Sequence, residues 1–318
     1  MTVYIGRPGR TNIFDASSDL SPANMTGAEL NDLLEGSGFG DLIKGLAGSD
    51  TIYGGAGIDF IYGGDGDDGG FTGSLMGGLG NDRIYGGNGN DLILEANSGQ
   101  ANGGNDFMFG EAGNDVVVGG AGNDVIDGGI GNDTLFGDGA LMLAGNDTIR
   151  GGLGNDVIEG GGGNGIGHDK LYGDAGNDTI RGDKGNDVID GGLGNDKITG
   201  GFGRDTLTGG AGLDTFLYVT TKSNGIGNTA LTRDTITDFK HLQDRIDLST
   251  VDEFGATPVF HAWKFIAAAA FSGVKDQIHY TYLGNHTIVS GDTNGDKVGD
   301  FQIDLAGRLV LSRADFIL

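Results

Sequence analysis

The amino-acid sequence predicts an all-β chain built as a solenoid of tight turns and short strands. Three observations carry that prediction. A nine-residue unit recurs from Gly27 to Leu217, and its sixth place is aspartate every time. One large apolar side chain stands two places after nearly every one of these aspartates. Glycine, 68 of 318 residues, dominates places one, two and four of the unit, where a turn with positive φ is strained for any residue that carries a Cβ.

The sixth-place series runs Asp32, Asp41, Asp50, Asp59, Asp68, Asp82, Asp91, Asp106, Asp115, Asp124, Asp133, Asp147, Asp156, Asp169, Asp178, Asp187, Asp196, Asp205 and Asp214. The apolar series begins at Leu34, Ile43, Ile52 and Ile61 and ends at Ile198, Leu207 and Phe216, failing only at Gly70. Each unit therefore reads as a six-residue turn followed by a three-residue strand whose middle side chain points inward. A fixed period of this length, read as one supersecondary element per unit, means stacking.

Composition narrows the function. A formal charge of −26, with 45 acidic against 19 basic residues, argues against nucleic acid or an anionic membrane surface as partner. Metal cations are the natural counter-charge. The absence of cysteine excludes disulfides, thiolate zinc sites and thiol nucleophiles. The opening "MTVYIGRPGRTNIF" lacks the long apolar run of a secretory signal, and no later stretch approaches a membrane span. One aliphatic side chain per nine residues buries too little to order the other eight, and stacked carboxylates repel one another. The remaining anchor is an oxygen-ligated metal. Calcium takes six to eight oxygens in flexible geometry, which glycine-rich turns supply as carbonyls and aspartates supply as charge.

The unit "GGAGNDVID", Gly119 to Asp127, resembles the GGxGxDxUx repeat of the RTX (repeats-in-toxin) family, a calcium-binding nonapeptide pattern. The resemblance implies a right-handed parallel β-roll of about nine coils, two units to the coil, with turns stacked along two edges. It further implies that calcium sits between successive turns of one edge, shared by the aspartates of turns n and n+2. Glycine pairs such as Gly120 and Gly122, Gly129 and Gly131, Gly152 and Gly154, and Gly192 and Gly194 belong to the same expected ligand set. Binding energy to a site absent from the unfolded chain is folding energy, so calcium is expected to drive folding.

Three segments follow from the pattern. Residues 1–26 read as an N-terminal cap, which a solenoid needs to cover its first coil. Residues 27–217 are the roll. Residues 218–318 are richer in apolar side chains and resemble the β-rich C-terminal domain that follows the roll in secreted RTX metalloproteases. Within that domain "DTNGDKVGD" places Asp292, Asn294, Asp296 and Asp300 at the first, third, fifth and ninth positions of an EF-hand loop, with Lys297 in place of glycine at the sixth and Ile303 in place of glutamate at the twelfth. A calcium loop and a solvated hairpin turn both remain open there. The final "LSRADFIL" resembles the uncleaved C-terminal signal of type I secretion substrates, and an ordinary last strand is compatible with it. The resemblance implies an extracellular protein, with calcium ions and a type I secretion apparatus as partners.

Four units are longer than nine residues: 72–85, 95–109, 137–150 and 160–172. Counted from Gly27 all four are even, which puts every insertion on one edge. The inserted apolar residues include Leu75, Met76, Leu141, Met142, Leu143 and Ile166. They read either as loops covering one another or as a partner site.

No catalytic signature is present. The histidines His168, His241, His261, His279 and His286 form no H-E-x-x-H, and no G-x-S-x-G occurs. Paired carboxylates recur in every turn, which marks a stacked metal site better than a glycosidase dyad. Two non-enzymatic readings remain. One is a secreted calcium-binding protein similar in organisation to the calcium-binding nodulation proteins. The other is a carbohydrate- or surface-binding module that contacts a polysaccharide or a host or cell surface through the outer face of the roll. Tyr53, Tyr62, Tyr85, Phe109, Phe136 and Tyr172 all fall at the ninth place and form its candidate aromatic row.

Overall fold

In a computed structural model of the chain, the inward side chain of each unit lies directly beside its counterpart two units away. The described residues are all except 1, 8, 10, 20, 70–73, 96–102, 140–143, 162–164, 220–231 and 252–262. Gly70, Leu141, Met142, Leu143 and His261 therefore lie outside them. The chain divides into two units, Met1–Lys170 and Leu171–Leu318.

In the first unit, strands consecutive in the chain alternate between two sheets, and every described pairing is parallel. One sheet lines up Met25, Ile43, Ile61, Ile84, Met108, Ile126 and Ile149 in a single column. The other lines up Leu34, Ile52, Leu75, Ile93, Val117, Leu135 and Ile158. None of these fourteen is more than 1% exposed. The core is thus two columns of aliphatic side chains, each one residue wide. Strand alternation turns places seven and nine outward.

Leu75 corrects the sequence reading. The fifth unit does not lack its inward residue: Gly69 takes place seven, its N–H donating to the Asp50 carbonyl at 2.8 Å. Leu75 sits between Ile52 and Ile93 with no exposure. This insertion interrupts a strand that follows Asp68. The other three precede Asp106, Asp147 and Asp169, on the opposite set of turns. The insertions therefore do not all share one edge. Ile166 is 69% exposed.

Ahead of Gly27, Thr2–Ile5 and Ala23–Thr26 extend one sheet and Ile13–Asp15 extends the other. These residues form a first, irregular coil.

In the second unit the same parallel pairing joins Thr179–Lys184 to Lys197–Phe202 and Val188–Asp190 to Thr206–Thr208. Pairing continues past Leu217, because Thr235–Ile236 docks on Thr206–Thr208 and Arg245–Asp247 docks on Thr215–Leu217. The final segment Phe316–Ile317 adds in parallel to Arg245–Asp247. Three antiparallel strands, Gln277–Leu283, His286–Asp292 and Phe301–Ala306, join the sheet through Thr235–Ile236. Their core is broader than a coil's, with Trp263 set edge-on to Phe301 at 5.8 Å and Ile303, Leu305 and Phe316 buried around them.

The position of Leu75 sets a test. At saturating calcium, Leu75→Ala is expected to destabilise the fold by about 2–5 kcal/mol, as for any large-to-small change in a core. Leu79→Ala, at a side chain 38% exposed, is expected to stay within about 0.5 kcal/mol. Denaturant midpoints of the two variants read the difference.

Candidate metal centre

Each sixth-place aspartate is locked by the backbone of a neighbouring turn. The N–H of Asp32 donates to Oδ1 of Asp50, that of Asp50 to Asp68, and so on through Asp91, Asp115, Asp133 and Asp156. A second ladder runs from Asp41 through Asp59, Asp82, Asp106, Asp124, Asp147 and Asp169. These bonds measure 2.6–2.8 Å. In the second unit the ladders run Asp178–Asp196–Asp214–Asp244 and Asp187–Asp205–Asp234. The two edges expected from the repeat are these two ladders.

The other oxygen is the chemically active one. Oδ2 of Asp50, Asp59, Asp68, Asp82, Asp91, Asp106, Asp115, Asp124, Asp133 and Asp147, and of Asp196, Asp205 and Asp214, is buried and accepts no hydrogen bond. Burial pushes the carboxyls of Asp59, Asp68 and Asp124 up to about 8 and that of Asp147 to about 9. Neighbouring aspartates on the same edge raise them further. A carboxylate buried without a partner is costly, and it is cheap only when protonated or when it faces a cation. A stacked row of such oxygens beside backbone carbonyls fits a hard, oxygen-seeking divalent ion.

The glycines divide by cause. Gly120, Gly122, Gly129, Gly131, Gly152, Gly154, Gly192 and Gly194 have φ between 94° and 144°, the expected left-handed turn positions. Place one is different: its glycines are absent from the positive-φ set, and space is what they supply. A Cβ on Gly119 would stand 2.5 Å from the Gly137 carbonyl oxygen and 2.8 Å from Oδ2 of Asp124. Place two keeps positive φ even without glycine, at Leu46, Glu111, Asp174 and Asp183. The stack imposes that turn on the residue.

Several participants escape the nine-residue reading. Asp234 and Asp244 extend the ladders beyond Leu217. Asp138 takes a place-two position with its side chain buried, Oδ1 accepting from the Gly145 N–H at 3.0 Å and Oδ2 accepting nothing. Glu95 takes a place-one position and is also buried. A third ladder uses place five, where the N–H of Asn105, Asn123 and Asn146 each donates to the Asn Oδ1 two turns earlier. The repeated Asn-Asp pair was its signal.

The loop at Asp292 turns its carboxylates on itself. Asp292 accepts from the N–H groups of Gly295 and Lys297, and Asp300 accepts from the Thr293 N–H and hydroxyl and from the Asn294 amide. Lys297 adopts φ 72°, and Asp292 is fully buried rather than solvated. The arrangement is a hairpin turn with its acids already hydrogen-bonded. At the C-terminus Asp315 accepts from Ser312, Leu242 and His241 and fixes the short 3-10 turn Arg313–Asp315.

The aromatic row splits. Tyr53 and Phe136 lie on one sheet of the first unit, while Tyr62, Tyr85 and Phe109 adjoin on the other. Their rings stack at 4.9 Å with planes 5° and 8° apart, and Lys44 lies over the Tyr62 ring. Both faces of the Tyr85 ring are taken by its neighbours.

A parallel β-roll whose interior turns bury carboxylate oxygens in a stacked row is a multi-site cation-binding repeat. The model of the RTX calcium-binding nonapeptide repeat (4 copies) matches residues 26–61, 35–70, 69–94, 100–139, 143–166, 165–198 and 190–217. That is more than half of the chain, and the chain belongs to this family; its repeats bind calcium ions. Two solved structures are similar to it, both subunits of the mannuronan C5-epimerase of Azotobacter vinelandii. The AlgE6R3 subunit is 27% identical, with 55% of this chain and 78% of that one covered and a TM-score of 0.29. The AlgE6R2 subunit is 22% identical, with 57% and 92% covered and a TM-score of 0.28. No curated protein matches the chain. Among the described residues no helix is long and apolar enough to cross a membrane.

The raised carboxyls give a pH dependence with a definite sign. Between the ordinary value of 3.8 and about 8 the cation-free fold holds protons that the unfolded chain has released. Its stability is full below the lower value and drains as pH rises through the upper one. In chelator, far-UV circular dichroism is expected to show more β structure near pH 4 than above pH 8. With calcium the trend reverses, because the ion takes the deprotonated form, and the calcium midpoint is expected to fall as pH rises.

Proposed function

We propose that this protein is a secreted calcium-binding RTX protein without a catalytic domain, exported unfolded by a type I apparatus and folded by extracellular calcium. The observation that carries the reading is the row of buried Oδ2 atoms without hydrogen-bond donors, which makes the deprotonated stack self-repelling until cations enter. In a cytosol poor in calcium the acidic, glycine-rich chain stays extended and exportable. Outside, calcium at extracellular levels fills weak sites and converts binding energy into folding energy.

The ions are held by the sixth-place aspartates of successive turns on one edge and by carbonyls of the glycine turns between them, Gly120, Gly122, Gly129 and Gly131 among them. The C-terminal segment carries the export signal, and its strand Phe316–Ile317 is completed only when the fold forms. For the surface-binding alternative, the Tyr62–Tyr85–Phe109 stack leaves Tyr85 no free ring face to offer a sugar.

The experiment is a calcium titration of chelator-treated protein, followed by circular dichroism and hydrodynamic radius. A cooperative gain of β structure with compaction between micromolar and millimolar calcium is expected, with weak competition from magnesium. Asp124→Ala and Asp187→Ala are each expected to raise the calcium midpoint several-fold. Complete β structure in chelator at neutral pH would sink the folding switch, and unchanged midpoints in both variants would sink shared coordination by the ladder.

A further inference from the structure

We propose that Glu95, with Asp82 and Asp106, forms a three-carboxylate calcium site that binds more tightly than the two-aspartate steps around it and fills first. The proposal rests on the calcium reading above and concerns the order in which the roll's sites load.

Place one in the stack is glycine in every other unit, Gly77 serving the unit that begins at Thr72, because Oδ2 of the unit's own aspartate and, at most positions, a carbonyl of the next coil leave no room for a Cβ. Glu95 alone breaks that rule. Its backbone still takes the place-one position: the Glu95 N–H donates to the Val118 carbonyl at 3.0 Å, as the Gly119 N–H donates to Phe136 at 2.9 Å. The side chain turns into the stack rather than out to solvent and is 6% exposed. It packs on Gly120, where a Cβ would stand 2.6 Å and 2.7 Å from Cβ and Cγ of Glu95.

One oxygen from each of Asp82, Glu95 and Asp106 lies within 4.8 Å of the others, the only such group of three acids or metal-ligating side chains among the described residues. The two aspartates point at it with a free valence. Oδ1 of Asp82 takes the Asp59 N–H at 2.8 Å and Oδ1 of Asp106 takes the Asp82 N–H at 2.6 Å. Oδ2 of each is fully buried; that of Asp82 accepts no hydrogen bond, and Asp106 shares a side-chain hydrogen bond with Glu95. Three carboxylates this close and this dry repel strongly, and a divalent ion of the kind the family binds relieves all three at once. Affinity for calcium rises with the charge count and rigidity of the ligand set. The tight site therefore sits where the glycine turn is broken by an insertion, with a charged side chain replacing the regular turn.

The test compares full-length wild type, Glu95→Gln, Glu95→Asp and Glu111→Gln by calorimetric titration with calcium after chelation, with circular dichroism at saturation. Glu111 is an exposed acid of the other edge and controls for net charge. A distinct first class of binding is expected in wild type. It should weaken by about tenfold or more in Glu95→Gln, survive in Glu95→Asp and remain unchanged in Glu111→Gln, with later binding and the final β signal the same in all four. Three results overturn the proposal: no tight class in wild type, the same first step in Glu95→Gln, or equal weakening in Glu111→Gln. Loss of the class in Glu95→Asp as complete as in Glu95→Gln also overturns it, by tying the class to side-chain length rather than charge. Absence of any calcium binding in wild type would instead fail the calcium reading itself.

Discussion

The structure depends on burying one carboxylate per turn next to the carboxylate of the turn above. Interior aspartates such as Asp115, Asp124 and Asp133 accept a backbone N–H on Oδ1 and keep Oδ2 in the interior without a donor. That arrangement dictates much of the sequence. Place one is glycine at all but Glu95 in the stack, because Oδ2 and a neighbouring carbonyl occupy the space of its Cβ. Places two and four must turn with positive φ, which glycine does at least cost, though the stack forces it on Leu46 and Glu111. Place five favours asparagine, whose amide oxygen takes the next coil's N–H and keeps successive turns in step.

The same constraint gives a bound cation leverage over the roll. Its core is two columns of single aliphatic side chains, far less apolar surface per ordered residue than an ordinary domain buries. Parallel strand pairing supplies register but little net stability once water is considered. The uncompensated Oδ2 row makes the cation-free, deprotonated roll less stable still. Cation binding removes that penalty and adds coordination at the same atoms, so metal concentration acts directly on the folding equilibrium. The second unit differs: its antiparallel strands bury Trp263, Phe301, Ile303 and Leu305 together, a conventional core with conventional stability.

The period, the aspartate ladder and the two aliphatic columns were legible in the sequence because each depends on a residue type recurring at one place. What was not legible depends on departures from the frame. Gly70 marked a missing core residue, but the chain supplies Leu75 after an excursion, and spacing alone cannot say where a longer unit re-enters the stack. Glu95, like Thr72, was visible as the first residue of a long unit that is not glycine; its burial beside Asp82 and Asp106 was not, since a glutamate in a long unit reads as solvated loop. Asp234 and Asp244 escaped because they continue the ladder after the glycine frame has ended. For the aromatic row, position within the unit was legible but the sheet was not, because alternate units belong to opposite faces.

The ends of the ladders show what the interior oxygens require. Asp32 has both oxygens hydrogen-bonded: Oδ1 takes the Asn12 N–H and Oδ2 the Ala28 N–H at 2.6 Å. Asp41 is served likewise by Ala23 and Ser37. In the second unit Oδ2 of Asp244, the last of its ladder, takes the Lys240 N–H at 2.7 Å, with the Lys240 ammonium reaching the Gly210 carbonyl. Oδ2 of Asp32, Asp41 and Asp244 thus meets an N–H donor where Oδ2 of interior aspartates such as Asp115 and Asp124 meets none. A terminal coil has to close the stack without a further turn above or below it, and an N–H group is a fixed, local donor that needs no ion. The caps thus do more than cover strand edges. In each unit they end a row of buried carboxylate oxygens with local N–H donors.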